Sequence, residues 1–544
     1  MADTSSPALP LELWSCIVSH LPNADIKSLR LTCKQFNNTV SLRLNRVFLS
    51  ANPLNIEVFH NIASHDKFRH KVNEIIWDEA LLHRGPARSA ETNGGHELLS
   101  DEDEPDNNRE WAADYLLYHP EYIEDIIESH EYEEGDRCPR WFKNACEETL
   151  HVLKRRGDRD VDRPDHTARK EQVLAQPLMG ERWQHYQQLL RQQKDVLASQ
   201  SDLEAFAFGV KQFPALKRVT ITPAAHGNLI TPLYETPMIR AFPKGFNYPI
   251  PRGWPYPRAI TDPALSYSWN QYPELRDRYR GFRTAMRVLA TEPNFVFELV
   301  MTANSVPTGI NCTIFDEPCE EYNHFANVLK NPGFRRLDIS LLVSGEIEEE
   351  FEVCSRSLRN GRLCRALGEA KDMEEFRLHA PYDENFGYDD AYPLVPLQSI
   401  VPVEQWSKLR HFELSGFVIS QKDCVSFLKT LPKSVRSIEL GMLHFLDGDW
   451  YSMLEEIRRM VSESTLWGDR DAGSRPKITI GVPITLSPTY GHGIWVEKEV
   501  EDFIYGEGGN PFEERYPLKI HLGVGVMRDA LEPDFERPHD RYKL

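Results

Sequence analysis

Apolar residues near the start of the chain recur at helical spacing. Leu9, Leu13, Ile17 and Leu21 lie four apart, on one face of a helix entered through Pro10. Pro22-Asn23 ends this helix, and Asn23 is suited to cap the next, whose apolar side is Ile26 and Leu29. Thr32-Cys33-Lys34-Gln35 fits a capping box, and Phe36, Val40, Leu44 and Val47 predict a third helix. Residues 9–48 therefore read as three short helices with tight turns. A segment of about forty residues does not easily bury this much apolar surface alone. The apolar face either docks on the rest of the chain or receives a partner protein.

Farther along, one pattern returns seven times: apolar-x-x-apolar-x-apolar. It occurs at Val72/Ile75/Trp77, Leu216/Val219/Ile221, Val296/Leu299/Met301 and Phe334/Leu337/Ile339. It returns at Met373/Phe376/Leu378, Leu409/Phe412/Leu414 and Val435/Ile438/Leu440. The last two apolar positions alternate as a strand requires, and the first anchors the turn leading in. Leucine-rich repeats use this spacing, with periods of about 20–29 residues. From Val296 the intervals are 38, 39, 36 and 26 residues, so the array is irregular. Amphipathic helices are predicted between strands, at residues 181–210, 281–290, 423–431 and 451–461. Late strands are expected at Lys477–Ile480 and Leu518–Leu522. Strands alternating with helices imply a parallel sheet with helical crossovers.

Composition narrows the function classes. The chain has 544 residues and a formal charge of −20, a poor balance for general nucleic-acid or anionic-membrane binding. No apolar run approaches the ~18 residues of a membrane span, and MADTSSPALP lacks signal-peptide character. Nine cysteines with no CxxC pair argue for a reducing compartment, cytoplasmic or nuclear, rather than a disulfide scaffold. Residues 85–110, with Ser100-Asp101-Glu102-Asp103-Glu104, read as an acidic disordered insertion in which Ser100 is a candidate phosphate acceptor. Residues 223–263 are proline-rich and aromatic, and read as a loop packed against the edge of the repeats that could border a binding site.

Candidate chemistry is sparse. GxSxG, HExxH and P-loop patterns are absent, and Gly506-Glu507-Gly508-Gly509 reads as a turn. Cys312, Cys319 and His324 lack a fourth ligand and read as unconnected loop residues, so neither a metal nor a cofactor is expected.

The N-terminal residues carry a resemblance. Leu9-Pro10-x-Glu12-Leu13, Ile17, Leu21-Pro22, Asp25-Ile26, Leu29-Arg30 and Cys33-Lys34-x-Phe36 resemble an F-box in identity and spacing. Thr32 departs from the aliphatic residue common there. The resemblance implies binding to the Skp-family adaptor of cullin–RING ubiquitin ligases. The implied adaptor-facing residues are Leu9, Pro10, Leu13, Ile17, Leu21, Ile26, Leu29, Cys33 and Phe36. Some must instead hold the helices together, and Cys33 is expected to be a small buried hydrophobe. The layout, including Ile75-Ile76-Trp77-Asp78-Glu79-Ala80, is similar to the large F-box families of filamentous fungi.

The expected fold is α/β: a three-helix F-box at 7–48, followed by an irregular leucine-rich-repeat-like solenoid. Residues 49–84 form linker helices and a first repeat strand, and residues 111–540 form a substrate-recognition body. The implied role is a non-catalytic, substrate-recruiting ligase subunit. The rivals are a non-ligase F-box adaptor and an α/β enzyme with an incidental helical N-terminus. The solvent-facing positions of the repeats are rich in arginine. Two readings stand: a ladder of cross-strand Arg–Glu pairs, or a basic strip (Arg335, Arg336, Arg410, Arg436) that recognises an acidic or phosphorylated substrate segment.

Overall fold

Each apolar triplet needs a neighbour to cover it, and the fold supplies one by stacking the triplets side by side. The structure is a computed structural model. It describes residues 10–21, 23–40, 42–83, 138–147, 150, 175–226, 232–255, 266–304, 306–343, 348–381, 395–463, 467, 470–483, 492–529 and 532–538. The chain opens with three helices, α1 (Leu11–Ser19), α2 (Asn23–Thr32) and α3 (Lys34–Thr39). The strands then begin: β1 (Arg46–Leu49), β2 (Glu74–Asp78), β3 (Arg218–Thr222), β4 (Glu298–Met301), β5 (Ile310–Asn311) and β6 (Arg336–Leu342). They continue as β7 (Glu375–His379), β8 (His411–Ser415), β9 (Val418–Ser420), β10 (Ser437–Gly441), β11 (His444–Asp447) and β12 (Lys477–Pro483). The last are β13 (His492–Val496), β14 (Phe512–Glu513), β15 (Tyr516–Ile520), β16 (Val526–Asp529) and β17 (Glu532–Pro538).

Among the described residues, the main sheet runs β1-β2-β3-β4-β6-β7-β8-β10-β12-β13-β16-β17, with β5 pairing beside β6. Pairing is parallel from β1 to β12. The middle apolar position of every triplet falls in one register: Val47, Ile75, Val219, Leu299, Leu337, Phe376, Phe412, Ile438 and Ile478. The last position forms a second ladder: Leu49, Trp77, Ile221, Met301, Ile339, Leu378, Leu414, Leu440 and Ile480. All are buried. At about 1.5–3 kcal/mol for each large side chain fully buried, these two rows are the main apolar stabilisation of the sheet. The leading residues Val72, Leu216, Val296, Phe334, Met373, Leu409 and Val435 are buried under the same layer.

Helices cover the ladder side. Crossover helices include α4 (Pro53–Ala63), Ser201–Gln212, Arg280–Thr291, Glu320–Leu329, Gln421–Thr430 and Trp450–Glu463. Helices that follow one another along the sheet touch, as α4 touches Ser201–Gln212 and the latter touches Arg280–Thr291.

Several expectations change. The third helix stops at Thr39, because Val40 turns extended (φ −94°, ψ 120°) and Val47 is drawn into β1 opposite Ile75. The strand series thus starts inside the segment read as all helical. Residues 181–210 are two helices, Met179–Ser199 and Ser201–Gln212, broken at Gln200 by a left-handed backbone (φ 56°). Leu518 belongs to β15, which pairs with β14 in a separate two-stranded sheet. Beyond β12 the main sheet ends in antiparallel β13, β16 and β17, which the parallel pattern does not anticipate. The acidic segment 85–110 and Ser100 lie outside the described residues.

The described parts of 223–263 pack on the body. Phe246 stacks on Tyr248 at 5.0 Å, and both join Phe142, Trp183 and Tyr186 in a second core. The Met238 N–H donates to Asn55 Oδ1 (2.8 Å), tying the loop to α4.

Leu378→Ala, in the middle of a ladder, is expected to cost about 2–5 kcal/mol, whereas Lys217→Ala, just before β3, stays within about 0.5 kcal/mol. Urea denaturation of the full chain checks both; equal effects would contradict the ladder as the stabilising core.

Candidate functional site

The N-terminal helices are held by few contacts. Ile26 is fully buried between them, and Trp14 on α1 meets Phe36 on α3 edge-on, with ring centroids 4.7 Å apart. The Arg30 guanidinium donates to Asn37 Oδ1 (3.0 and 3.2 Å), joining α2 to α3. Arg43, just before β1, clamps the group to the body. Its Nη1 donates to the Ser19 carbonyl (2.6 Å) and its Nη2 to the Leu21 carbonyl, satisfying free acceptors at the end of α1. Its backbone N–H and C=O pair with the Asn23 side-chain amide at 2.9 and 2.8 Å. Asn23, read from sequence as a helix cap, instead joins α2 to this segment. The clamp borders an open groove of about 590 Å³ that also reaches Leu44 and Lys71.

The structure divides the nine residues singled out by resemblance. Pro10, Leu13, Ile17 and Cys33 are exposed, with Leu13 at 51% and Ile17 at 43% one turn apart on α1. Leu21, Leu29 and Phe36 are half-buried, Ile26 is interior, and Leu9 lies outside the described residues. Cys33 is not the buried hydrophobe expected: it is exposed and caps α3, its Sγ accepting the Phe36 N–H at 3.5 Å. The capping box fails for the same reason. Thr32 still belongs to α2, its hydroxyl donating to the Leu29 carbonyl at 2.7 Å. Leu31, at 87% exposure the most open large apolar side chain of the group, escapes the periodicity because it sits off the Ile26/Leu29 face.

The open side of the sheet carries the charges. Cross-strand neighbours alternate as Arg46, Glu74, Arg218, Glu298, Arg336, Glu375 and His411. Arg46 meets Glu74 at 2.9 Å, Arg218 Nε meets Glu298 at 2.7 Å, and Arg336 meets Glu375 at 3.0 Å. Arg335 meets Glu298 at 3.0 Å, its guanidinium 4.2 Å from the Phe297 ring centroid. Burial pushes the Glu298 carboxyl up, but its two arginines outweigh this and hold it below the usual range. Two of the four candidate arginines are thus committed to carboxylates. Arg410 and Arg436 are exposed and, among the described residues, form no ion pair.

At mid-sheet, His379 lies 3.3 Å from Asp338 and 3.7 Å from Glu413, which also meets His411 and Arg377 at 3.4 Å. Burial pulls His379 down, yet the charge of Glu413 and the bond and charge of Asp338 raise it to about 9. Glu413 is pushed up by burial and brought down to about 2 by His379, His411 and Arg377. The loop side holds Glu79, which accepts from Trp254 Nε1 (2.7 Å) and from the Gly281 N–H; burial outweighs these bonds and raises it to about 7.

Other candidates are structural. Cys312 is fully buried, and Cys319 caps the helix Glu320–Leu329, accepting the Tyr322 N–H at 3.4 Å. Among the described residues, no group of three or more His, Cys, Asp or Glu side chains is arranged to hold a metal ion. No described helix is long and apolar enough to cross a membrane.

Two outcomes are expected. Ile26→Asp buries an unpaired charge and unfolds the three helices, whereas Leu31→Asp leaves them intact, as limited proteolysis of the full chain will report. The His379 pair stabilises the fold below pH 6.5, and this contribution is lost as pH rises through about 9. The wild-type melting temperature therefore falls between those values, and His379→Gln flattens that fall; an unchanged slope would contradict the pairing.

Comparison with known proteins adds one identification. No curated protein matched the chain. Residues 7–47 match the family model of the F-box domain. F-box domains are protein-interaction modules that typically bind the Skp adaptor within ubiquitin ligases, generally as parts of non-catalytic adaptors. Three short helices around Ile26, presenting Leu13 and Ile17 outward, are the F-box domain that this chain carries.

Proposed function

We propose that the chain is the substrate-recruiting subunit of a Skp–cullin–F-box ubiquitin ligase in the cytoplasm or nucleus. The observation that carries this reading is the division of the F-box: Leu13 and Ile17 face outward while Ile26 is sealed inside. The adaptor-contacting surface is Pro10, Leu13, Ile17 and Cys33, flanked by Leu21, Leu29 and Phe36, with Leu31 as an addition. Leu9 belongs to the same series by spacing. Ile26 supports the face from behind.

The body, residues 111–540, together with the strands before it, is an irregular leucine-rich-repeat-like solenoid that holds the substrate. The strand order, in which each parallel strand lies beside its predecessor, supports this. The polar open face, bounded by the loop at Tyr234 and by Trp495, is the substrate side. Function then needs no catalytic side chain. Tethering raises the effective concentration of substrate near the activated ubiquitin.

Leu13→Asp combined with Ile17→Asp is expected to abolish capture of a co-expressed Skp adaptor while the melting of the body stays unchanged. Failure of the wild-type chain to capture the adaptor would refute the reading. Cullin in the captured complex, with substrate ubiquitination, separates a ligase subunit from a non-ligase adaptor.

A further inference from the structure

The edge of the sheet from which β10 and β12 start departs from the pairing found elsewhere. Arg436 precedes β10, and its Nη1 donates to the carbonyls of Lys433 (2.9 Å) and Val435 (3.0 Å). Arg470 reaches the same Val435 carbonyl through its own Nη1, at 3.3 Å. Two guanidinium groups therefore converge on one acceptor. Among the described residues no carboxylate is within ion-pair reach of either, in a chain of net charge −20. Arg46, Arg218, Arg335, Arg336 and Arg377, by contrast, all have carboxylate partners.

Arg470 is more than an unpaired surface charge. Its Nη2 is buried and has no hydrogen-bond partner. A buried donor left unsatisfied is costly, and a charged one more so. Burial and the neighbouring Arg436 charge both pull the Arg470 guanidinium below its usual range. The nearby charged groups do not relieve it. Lys477 is held by Glu497 at 3.4 Å, the Arg475 guanidinium lies 5.3 Å from the Tyr505 ring centroid, and Glu439 accepts from Trp495. Arg410 flanks the pair, because the Arg436 N–H donates to the Arg410 carbonyl on the adjacent strand.

We propose that Arg436 and Arg470 form an anion site for a phosphate-class dianion, with Arg410 at its open side. A carboxylate occupies one guanidinium fork and carries one charge. A phosphate monoester offers three acceptor oxygens and nearly two charges, which matches two adjacent forks. Such a ligand satisfies the buried Arg470 donor and removes the Arg–Arg repulsion at once. The site itself does not depend on membership of a ligase. Only the ligand's source, a phosphorylated side chain of a recruited protein, rests on the function proposed above.

The test is the melting temperature of the full-length chain, titrated with sodium phosphate and with sodium chloride at equal ionic strength. Phosphate is expected to stabilise the wild type beyond chloride. Arg470→Gln and the charge-conserving Arg470→Lys should weaken phosphate binding about tenfold or more, and Arg436→Gln with Arg470→Gln should abolish the effect. Lys211→Gln, on the helix side, should leave it unchanged. In phosphate-free buffer Arg436→Gln should not lower the melting temperature, because it removes a repulsion. N-acetyl-O-phosphoserine amide binding more tightly than inorganic phosphate assigns the ligand to a phosphorylated side chain; equal binding assigns it to free phosphate. No phosphate effect in the wild type, or an equal effect in the double variant, overturns the site. Skp-adaptor capture, followed in parallel, should be unaffected by the double variant, so failure of the ligase reading and failure of the anion site give different results.

Discussion

The parallel register of the two apolar ladders is the constraint on which the rest of this structure depends. Once Ile75, Val219, Leu299, Leu337, Phe376, Phe412 and Ile438 stand opposite one another, a shift of one residue in any strand would turn its buried side chains to water. The register also dictates the open side. Positions between the buried ones must form rows, and like charges directly opposite would destabilise the sheet. The alternation from Arg46 through Glu375 is the sequence's answer to that geometry. Single pairs of this kind are worth little at a surface. Glu298, buried and bonded by two arginines, is the member whose loss would leave charges uncompensated.

The F-box obeys a different limit. It is too small to close a core around more than Ile26 and the Trp14–Phe36 contact, so apolar side chains remain outside. Its position relative to the body rests on polar groups. Arg43 satisfies the last carbonyls of α1 while Asn23 grips the Arg43 backbone, three residues before β1 begins. The F-box segment is thereby coupled to the first strand of the ladder. For the ligase subunit proposed above, a fixed coupling would limit how far a bound substrate can wander from the ligase.

Much of this was legible in the chain. All seven six-residue patterns are in place as buried positions, and three of the four helices predicted between strands are found within a few residues of their expected bounds, the fourth being divided at Gln200. The F-box was legible because identity and spacing agree at many positions. Errors fell where one local signal had two solutions. Val40, Leu44 and Val47 have helical spacing, yet Val47 gains more by pairing with Ile75. Thr32 and Cys33 both resemble caps, and only the break between α2 and α3 chooses Cys33.

The sequence by itself determined which residues are buried in each strand, that strands alternate with helices, and that the first helices carry surplus apolar surface. Those properties follow from periodicity, which is local. Tertiary structure alone decided which charges are neutralised. Arg335 and Arg336 look equivalent to Arg410 and Arg436 in the chain, but Glu298 and Glu375 come from other strands. Likewise Arg470, thirty-four residues beyond Arg436 in the chain, reaches the same carbonyl only because the segment before β12 returns to the start of β10. Charge pairing depends on distances of a few ångströms between residues far apart in sequence, and no pattern along the chain encodes those distances.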